Sequence, residues 1–443
     1  MRSKRGWLAL AACVVALPSA ARAGEVSTLP RPLVASSAAL PASVSAAVSG
    51  AFAAPGLGKR VSVTVLDAAT GAPLYRKAGT LPVQPASTLK LVTALAALTV
   101  LPAGTTLDTK LVSGAAVQSG VLTGDLVVVG GGDPTLSSLE TPAYPAPARL
   151  SGLVDALRRR GIRSITGRVV VDTSAYAGPA TEPGWKPSYV TEGSVAPVVA
   201  LMVDGGHARA AATRGSRSAA PDLLAGQRLR ALLVARGIAV SGAVARGGAP
   251  TGATELAVVH SAPLPALVER MLQHSDNDVA EALLRRIALT AGQPASFAGG
   301  AAAVAATLAG LGVPTGGVVI RDGSGLSRTD RATTDLLAAV LRLATSPEHP
   351  ELRPILSGLP TAGFSGTLAA RYRDAATRSA AGRVRAKTGT LNNVTTLAGV
   401  VVTRSGQLVV FSASADQVPT ASVGAAAKLL DRAVVRVAEC GCG

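Results

Sequence analysis

Between Val384 and Ser414 the sequence holds three stretches of strand-like composition, Val384–Leu391, Thr395–Thr403 and Gln407–Ser414, parted by three residues each. Connections that short permit only antiparallel pairing, because a parallel crossover needs about a dozen residues or more. The stretch Ala421–Ala438 follows as a helix, with Leu429, Leu430, Val434 and Val437 on one side and Lys428, Asp431, Arg432 and Arg436 on the other. Such a helix docks its apolar stripe on the strands. Near the other end, Val61–Leu66 alternates, turns over residues 67–72 and returns as Pro73–Arg76, a hairpin. An α+β architecture is therefore expected, an antiparallel sheet with helices on its faces.

The chain between these parts changes character twice. From residue 105 to 261 short strands (Thr106–Val112, Val121–Val129, Ile165–Asp172, Ile238–Val244) alternate with helices (Ala146–Arg160, Pro221–Arg236) and proline-rich loop over 177–197. From Pro263 helices dominate: Pro263–Gln273, Asp278–Thr290, Ser296–Gly310 and Thr333–Ala344. No repeat stands out. The expected division is thus a main domain formed by residues 24–104 and 262–443, with an inserted α+β region at 105–261 of one or two small domains.

Arg2, Lys4 and Arg5 precede the apolar run Trp7–Leu17, and Ala21-Arg22-Ala23 supplies a small-x-small cleavage site. These are the three parts of a secretory signal peptide, so residues 1–23 are read as a leader removed after Ala23, and the protein as exported to the periplasm or cell-wall space. The rival reading makes Leu10-Ala11-Ala12-Cys13 a lipidation box, but the apolar run continues past Cys13 to Leu17. Without Cys13 only Cys440 and Cys442 remain, which suggests neither a disulfide framework nor a metal set. After residue 24 no unbroken apolar run reaches the roughly 18 residues of a membrane span. The net charge is +17, yet aromatic residues make up 2% of the chain and the arginines are scattered. Base stacking is poorly served by such a composition, so a nucleic-acid partner is not expected.

Ser87 and Lys90 lie three residues apart where a helix begins, a spacing that places hydroxyl and amine on one face. A serine hydroxyl needs a base to become a nucleophile, and a lysine can serve if burial or a nearby positive charge lowers its pKa from about 10.4. Alone, the pair also fits an N-cap and a solvated side chain. Two further strings alter the weighing: Ser275-Asp276-Asn277 between two helices and Lys387-Thr388-Gly389-Thr390 on the first strand of the terminal sheet. Ser-x-x-Lys, Ser-x-Asn and Lys-Thr-Gly in that order form the motif set of penicillin-binding proteins and serine β-lactamases. Asparagine occurs only at 277, 392 and 393, which makes its presence in the second motif more telling.

With Pro85–Lys90, Gly124-Asp125-Leu126, Gly130–Pro134, Val195-Ala196-Pro197, Asp322–Arg328, Leu359-Pro360 and Gly366-Thr367-Leu368, the chain resembles the D-alanyl-D-alanine carboxypeptidase/endopeptidase family of class C low-molecular-mass penicillin-binding proteins. The resemblance implies a β-lactamase/transpeptidase-like fold and cleavage of the terminal D-Ala from peptidoglycan stem peptides through an acyl-enzyme on Ser87. Cross-link cleavage and acylation by β-lactams belong to the same expectation, and no cofactor or metal does. In these roles Ser87 attacks, Lys90 takes its proton, and Lys387 lowers the Lys90 pKa by repulsion. Ser275 relays a proton to the leaving amine, and Asn277 holds Lys90 and the substrate amide. The backbone N–H groups of Ser87 and Thr390 form the oxyanion hole. Lys387, Thr388 and Thr390 meet the substrate carboxylate, and Gly389 leaves room for substrate beside the strand. Members of the family nest two extra domains between the first and second motifs, whereas the interval here, 275 − 87 = 188 residues, is somewhat short for both.

Three rival readings are weaker. A β-lactamase or esterase-like hydrolase of class A type needs a Glu-x-x-Leu-Asn loop, which is absent. A Ser-His-Asp hydrolase lacks its Gly-x-Ser-x-Gly elbow and would have to use His207, His260, His274 or His349. A non-catalytic cell-wall binding protein of the same fold has no reason to hold every motif residue.

Overall fold

The computed structural model describes residues 42–212 and 214–439. The leader read at 1–23, Cys13 within it, and the tail residues Cys440 and Cys442 lie outside the described residues. Helix α1 (Ala42–Phe52) precedes the hairpin of β1 (Arg60–Asp67) and β2 (Pro73–Lys77), and α2 (Lys90–Val100) follows. Next come β3 (Asp108–Ser113), β4 (Val117–Gln118), β5 (Val121–Leu122), β6 (Leu126–Gly130), α3 (Leu150–Arg159), β7 (Ser164–Ile165) and β8 (Val169–Asp172). Helix α4 (Pro221–Ala235), β9 (Ala239–Val240), β10 (Val244–Arg246) and β11 (Thr254–His260) complete that stretch. The helical part holds α5 (Leu264–His274), α6 (Asn277–Thr290), α7 (Phe297–Gly310), α8 (Thr334–Thr345) and α9 (Arg353–Gly358). Strands β12 (Val384–Leu391), β13 (Val394–Val402) and β14 (Leu408–Asp416) lead to the closing helix α10 (Val423–Ala438). Among the described residues no helix is long and apolar enough to cross a membrane.

The two ends of the chain meet in one antiparallel sheet of order β12-β13-β14-β1-β2, with Val63 opposite Ala413 and Lys387 opposite Ala398. Both faces of its central strands are covered. Leu397, Val401, Val409 and Phe411 point toward α10 and α1, while Ala398, Val400 and Val410 point toward the helical cluster. This is the two-residue period of a strand used on both sides. Helix α2 is buried from Lys90 to Leu98, as expected for a helix apolar on every side, and forms the axis of the helical cluster.

Strands β3 to β11 make two further sheets, a mixed one of order β10-β8-β6-β3-β11 and a small one of order β4-β5-β7-β9. Here the structure departs from the sequence reading. Val121–Val129, Ile165–Asp172 and Ile238–Val244 are not single strands. Each breaks near a glycine (Gly124, Gly167, Gly242) and passes from the small sheet to the larger one. Gly167 N–H donates to Gly124 O at 3.0 Å and Gly242 N–H to Gly167 O at 2.9 Å, so the three crossings stack on one another. Pairing Ser164 with Ala239 and Val169 with Val244 keeps one offset, 239 − 164 = 244 − 169 = 75 residues. Thus α3-β7-β8 and α4-β9-β10 are two copies of one unit, hidden from a search for sequence repeats. Strand β11 and helix α9 were also not anticipated.

A Cβ on Gly167 would lie 2.4 Å from the Gly124 backbone. Gly167→Ala is expected to destabilise the protein by about 1–3 kcal/mol through overpacking, read as a lower thermal unfolding midpoint. An unchanged midpoint would show that the crossing can relax.

Candidate active site

Ser87 sits in a single 3₁₀ turn, Ala86–Leu89, that runs directly into α2 at Lys90. Just before it Ala86 takes a left-handed φ of 46°, a conformation a non-glycine residue holds only when its surroundings impose it. They do so from two sides. Thr396 Oγ1 donates to Pro85 O at 3.0 Å, and the Ala86 carbonyl lies where a Cβ on Gly325 would sit, 1.9 Å away. The result is a half-buried Ser87 at the mouth of a cleft and a fully buried Lys90 beneath it.

Lys90 Nζ lies 3.0 Å from Ser87 Oγ, 2.6 Å from Asn277 Oδ1 and 2.7 Å from the Ser324 carbonyl. Asn277 opens α6, and its amide orientation is set by Nδ2, which donates to Ser194 O at 2.8 Å. Two of the amine's three neighbours are therefore oxygens that can only accept. When Lys90 is neutral its two N–H groups satisfy them, and its lone pair is left facing Ser87 Oγ, the one neighbour that carries a proton. The geometry orients a base.

Ser275 ends α5 in a left-handed conformation, φ 56°, while Asp276 caps α6 by accepting from Val279 N–H. Lys387 Nζ donates to Ser275 Oγ at 2.9 Å and to the Thr388 carbonyl at 2.8 Å. Thr388 Oγ1 donates to Thr367 Oγ1 at 2.8 Å, which adds a hydroxyl that the motif reading did not assign to the site. Strand β12 is an edge of its sheet, so residues 387–391 present open backbone groups to the cleft, with Thr390 exposed. The cleft, about 540 Å³, is bordered by Ser87, Asn277, Tyr189, Arg328, Thr390 and Leu391 among others. His274 is exposed and borders a separate cleft of about 550 Å³ together with Arg270 and Asp276; Ser275 and Asn277 border it too.

All eight residues read from the sequence, Ser87, Lys90, Ser275, Asn277, Lys387, Thr388, Gly389 and Thr390, come together, but two of their physical roles change. Burial is what pushes the Lys90 pKa down to about 8, against the opposing pull of Asp322, Glu281, Asp276 and Asp278. Lys387, also fully buried, is lowered well below the ordinary lysine value by burial first and then by the charge of Lys90. Gly389 does not clear space for a ligand. A Cβ there would meet Thr396 Oγ1 at 2.1 Å, Pro85 O at 2.9 Å and Ala86 Cβ at 3.1 Å, so its role is to let the Ser87 turn close against β12. Missed altogether were the carbonyls of Ser194 and Ser324, because a backbone acceptor leaves no mark on residue type.

The Peptidase S13 family, D-Ala-D-Ala carboxypeptidase 3, matches residues 44–218 and 208–436. The chain belongs to this family. A carboxypeptidase of Mycobacterium tuberculosis is 40% identical over 385 residues, 86% of this chain and 81% of that one. The carboxypeptidase DacB of Mycolicibacterium smegmatis is 39% identical over 402 residues, 90% and 84% respectively. In fold, this S13 carboxypeptidase is similar to penicillin-binding protein 4 (dacB) from Haemophilus influenzae. That crystal structure has a TM-score of 0.76 and 24% identity, covering 88% of this chain and 98% of that one.

A Lys90 that serves as base must be neutral, so on that reading acylation of the S13 carboxypeptidase by a penicillin is expected to rise with pH through about 8 and then level. A pH-independent rate across that range would remove Lys90 as the base. Gly389→Ala is expected to cut the same acylation rate by about 10²-fold, since it displaces the Ser87 turn without touching a reacting group. Near-wild-type kinetics would show that the Pro85–Ala86 approach is not limiting.

Proposed function

We propose that this enzyme removes the terminal D-alanine from peptidoglycan stem peptides through an ester on Ser87, in the space outside the cytoplasmic membrane where that polymer lies. Residues 105–261, whose strands pair among themselves, form an insert between the two halves of its catalytic domain, 24–104 and 262–443. The observation that carries the reading is the set of partners around Lys90: Ser87 Oγ at 3.0 Å and two acceptor-only oxygens that leave the lone pair no other target.

The stem peptide lies extended along the open edge of β12, adding a strand to the sheet. Its terminal carboxylate meets Lys387 and the hydroxyls of Thr388 and Thr390, and that negative charge favours the charged form of Lys387. Lys90 takes the Ser87 proton as Oγ bonds to the carbonyl carbon. The oxyanion accepts from the N–H groups of Ser87 and Thr390. The intermediate then expels D-alanine, whose amine receives the proton that Lys90 had taken, passed on through the Ser275 hydroxyl beside Lys387 Nζ, so that Lys90 is neutral again when water arrives. Water attacks the Ser87 ester in the second half, giving its proton to Lys90 and releasing the shortened peptide as Ser87 regains its own. A β-lactam enters by the same first half, and its ring-opened amine stays attached to the acyl group. Cross-link cleavage uses the same steps with a larger leaving amine.

Incubation with a labelled penicillin is expected to add one penicillin mass to the intact protein and none to Ser87→Ala. No adduct on the wild type, or an adduct that survives in Ser87→Ala, would refute the assignment. The same pair of proteins given a D-Ala-D-Ala peptide should differ in release of free D-alanine.

A further inference from the structure

The insert is not only a neighbour of the catalytic centre. Its loop between Glu182 and Ala196 reaches each of the two acceptors that orient Lys90. Ser194 O fixes the Asn277 amide, as described above. On the other side, Trp185 Nε1 donates to Asp322 Oδ2 at 2.7 Å in a fully buried contact, with the indole edge-on to Phe297, ring centroids 5.4 Å apart.

Asp322 begins the buried turn that presents the Ser324 carbonyl. Its Oδ1 accepts from Gly325 N–H and its Oδ2 from Ser327 N–H, both at 2.7 Å. Glu281 of α6 accepts from the N–H groups of Gly323 and Ser324 at 3.0 and 2.9 Å, and Thr93 of α2 donates to Gly323 O at 2.7 Å. The same turn supports Ser87 through the close approach of Gly325 to Ala86 O. Asp322, with zero exposure, thus holds the turn with three N–H donors, and the only side-chain donor among them comes from the insert.

We propose that Trp185 is a positioning residue for the general base: its indole N–H holds Asp322, and through the 322–327 turn it holds the carbonyl that orients the Lys90 amine. The inference rests on the reading of Lys90 as the base. It gives the insert a part in catalysis that does not require contact with substrate. The charged or titratable groups around Asp322 are Glu281 of α6, Asp330 of the same turn, Lys90 of α2 and Tyr189 of the insert loop. Of the carboxylates near Lys90, Asp322 does most to make it keep its proton.

Trp185→Phe keeps an aromatic ring and removes the donor. Trp185→His gives up more volume but restores an N–H, since imidazole Nε2 occupies the same ring position relative to Cγ as indole Nε1. Acylation by penicillin should be followed against pH in both variants, with thermal unfolding alongside. In Trp185→Phe the plateau is expected to fall about tenfold, the effect of losing one hydrogen bond to a charged group. Its rising limb should move to lower pH, because an Asp322 no longer held in place by the indole favours the charged form of Lys90 less. Trp185→His is expected to recover rate relative to Trp185→Phe.

A Trp185→Phe enzyme with the wild-type plateau and limb overturns the proposal, as does a histidine variant slower than the phenylalanine one, which is the order that ring volume alone predicts. If Trp185→Phe does not fold, the histidine variant decides: a wild-type limb with a plateau within twofold supports the donor role, and any greater loss in a folded protein overturns it. Wild-type protein that forms no Ser87 adduct would remove the base reading and this inference together; an adduct with unaffected variants would remove only the inference.

Discussion

The site depends on a primary amine kept out of water among oxygens that cannot give it a proton. Burial makes the charged form of Lys90 costly, and nearby carboxylates oppose that cost without cancelling it. The balance leaves the amine able to lose its proton near neutral pH. The directional character of its hydrogen bonds does the rest. With Asn277 Oδ1 and Ser324 O occupied by N–H groups, the lone pair has one direction left, and Ser87 lies along it. Burial alone would yield a neutral lysine aimed at nothing in particular.

That arrangement explains why segments so far apart in the chain must be assembled at once. The Ser87 turn is pressed between Gly389 of β12 and Gly325 of the buried turn, both at distances that exclude a Cβ. Asn277 starts a helix, so its position follows from the N-cap at Asp276, while its amide orientation follows from the insert. The sheet, the helical cluster and the loop that carries Ser194 each supply one constraint. Each is met by packing or by a short side chain bonded to the main chain, which leaves less freedom than contacts between long side chains.

Much of this was legible from residue types. The terminal strands, read from β-branched runs, match to within a residue at most of their ends, and in β13 and β14 burial on both faces keeps the signal strong. The motif residues were legible because acyl transfer needs a hydroxyl, an amine and a carboxylate binder, and few residue types provide them. The insert was harder to read. In Val121–Val129 and Ile165–Asp172 the triplets Thr123-Gly124-Asp125 and Thr166-Gly167-Arg168 are short enough to pass for an irregularity within one strand, and the close stacking of Gly124, Gly167 and Gly242 is what makes two strands of each. The carbonyls at Ser194 and Ser324, and the burial that lowers both lysines, depend on depth and tertiary placement, which composition does not encode.

The open edge of β12 has a consequence for the molecule as a whole. A row of unpaired backbone groups accepts any extended chain, including a second copy of a strand, and proteins ordinarily blunt such rows. Here the exposed register is short. Thr361 bridges to Arg385 just before Lys387, and the Asn392-Asn393 turn ends the strand just after Leu391, with Asn393 at a left-handed φ of 70°. The open stretch between them runs only from Lys387 to Leu391, so the row of unpaired groups offered to another chain is short. The length of that gap bounds how much of any extended chain can pair with the edge.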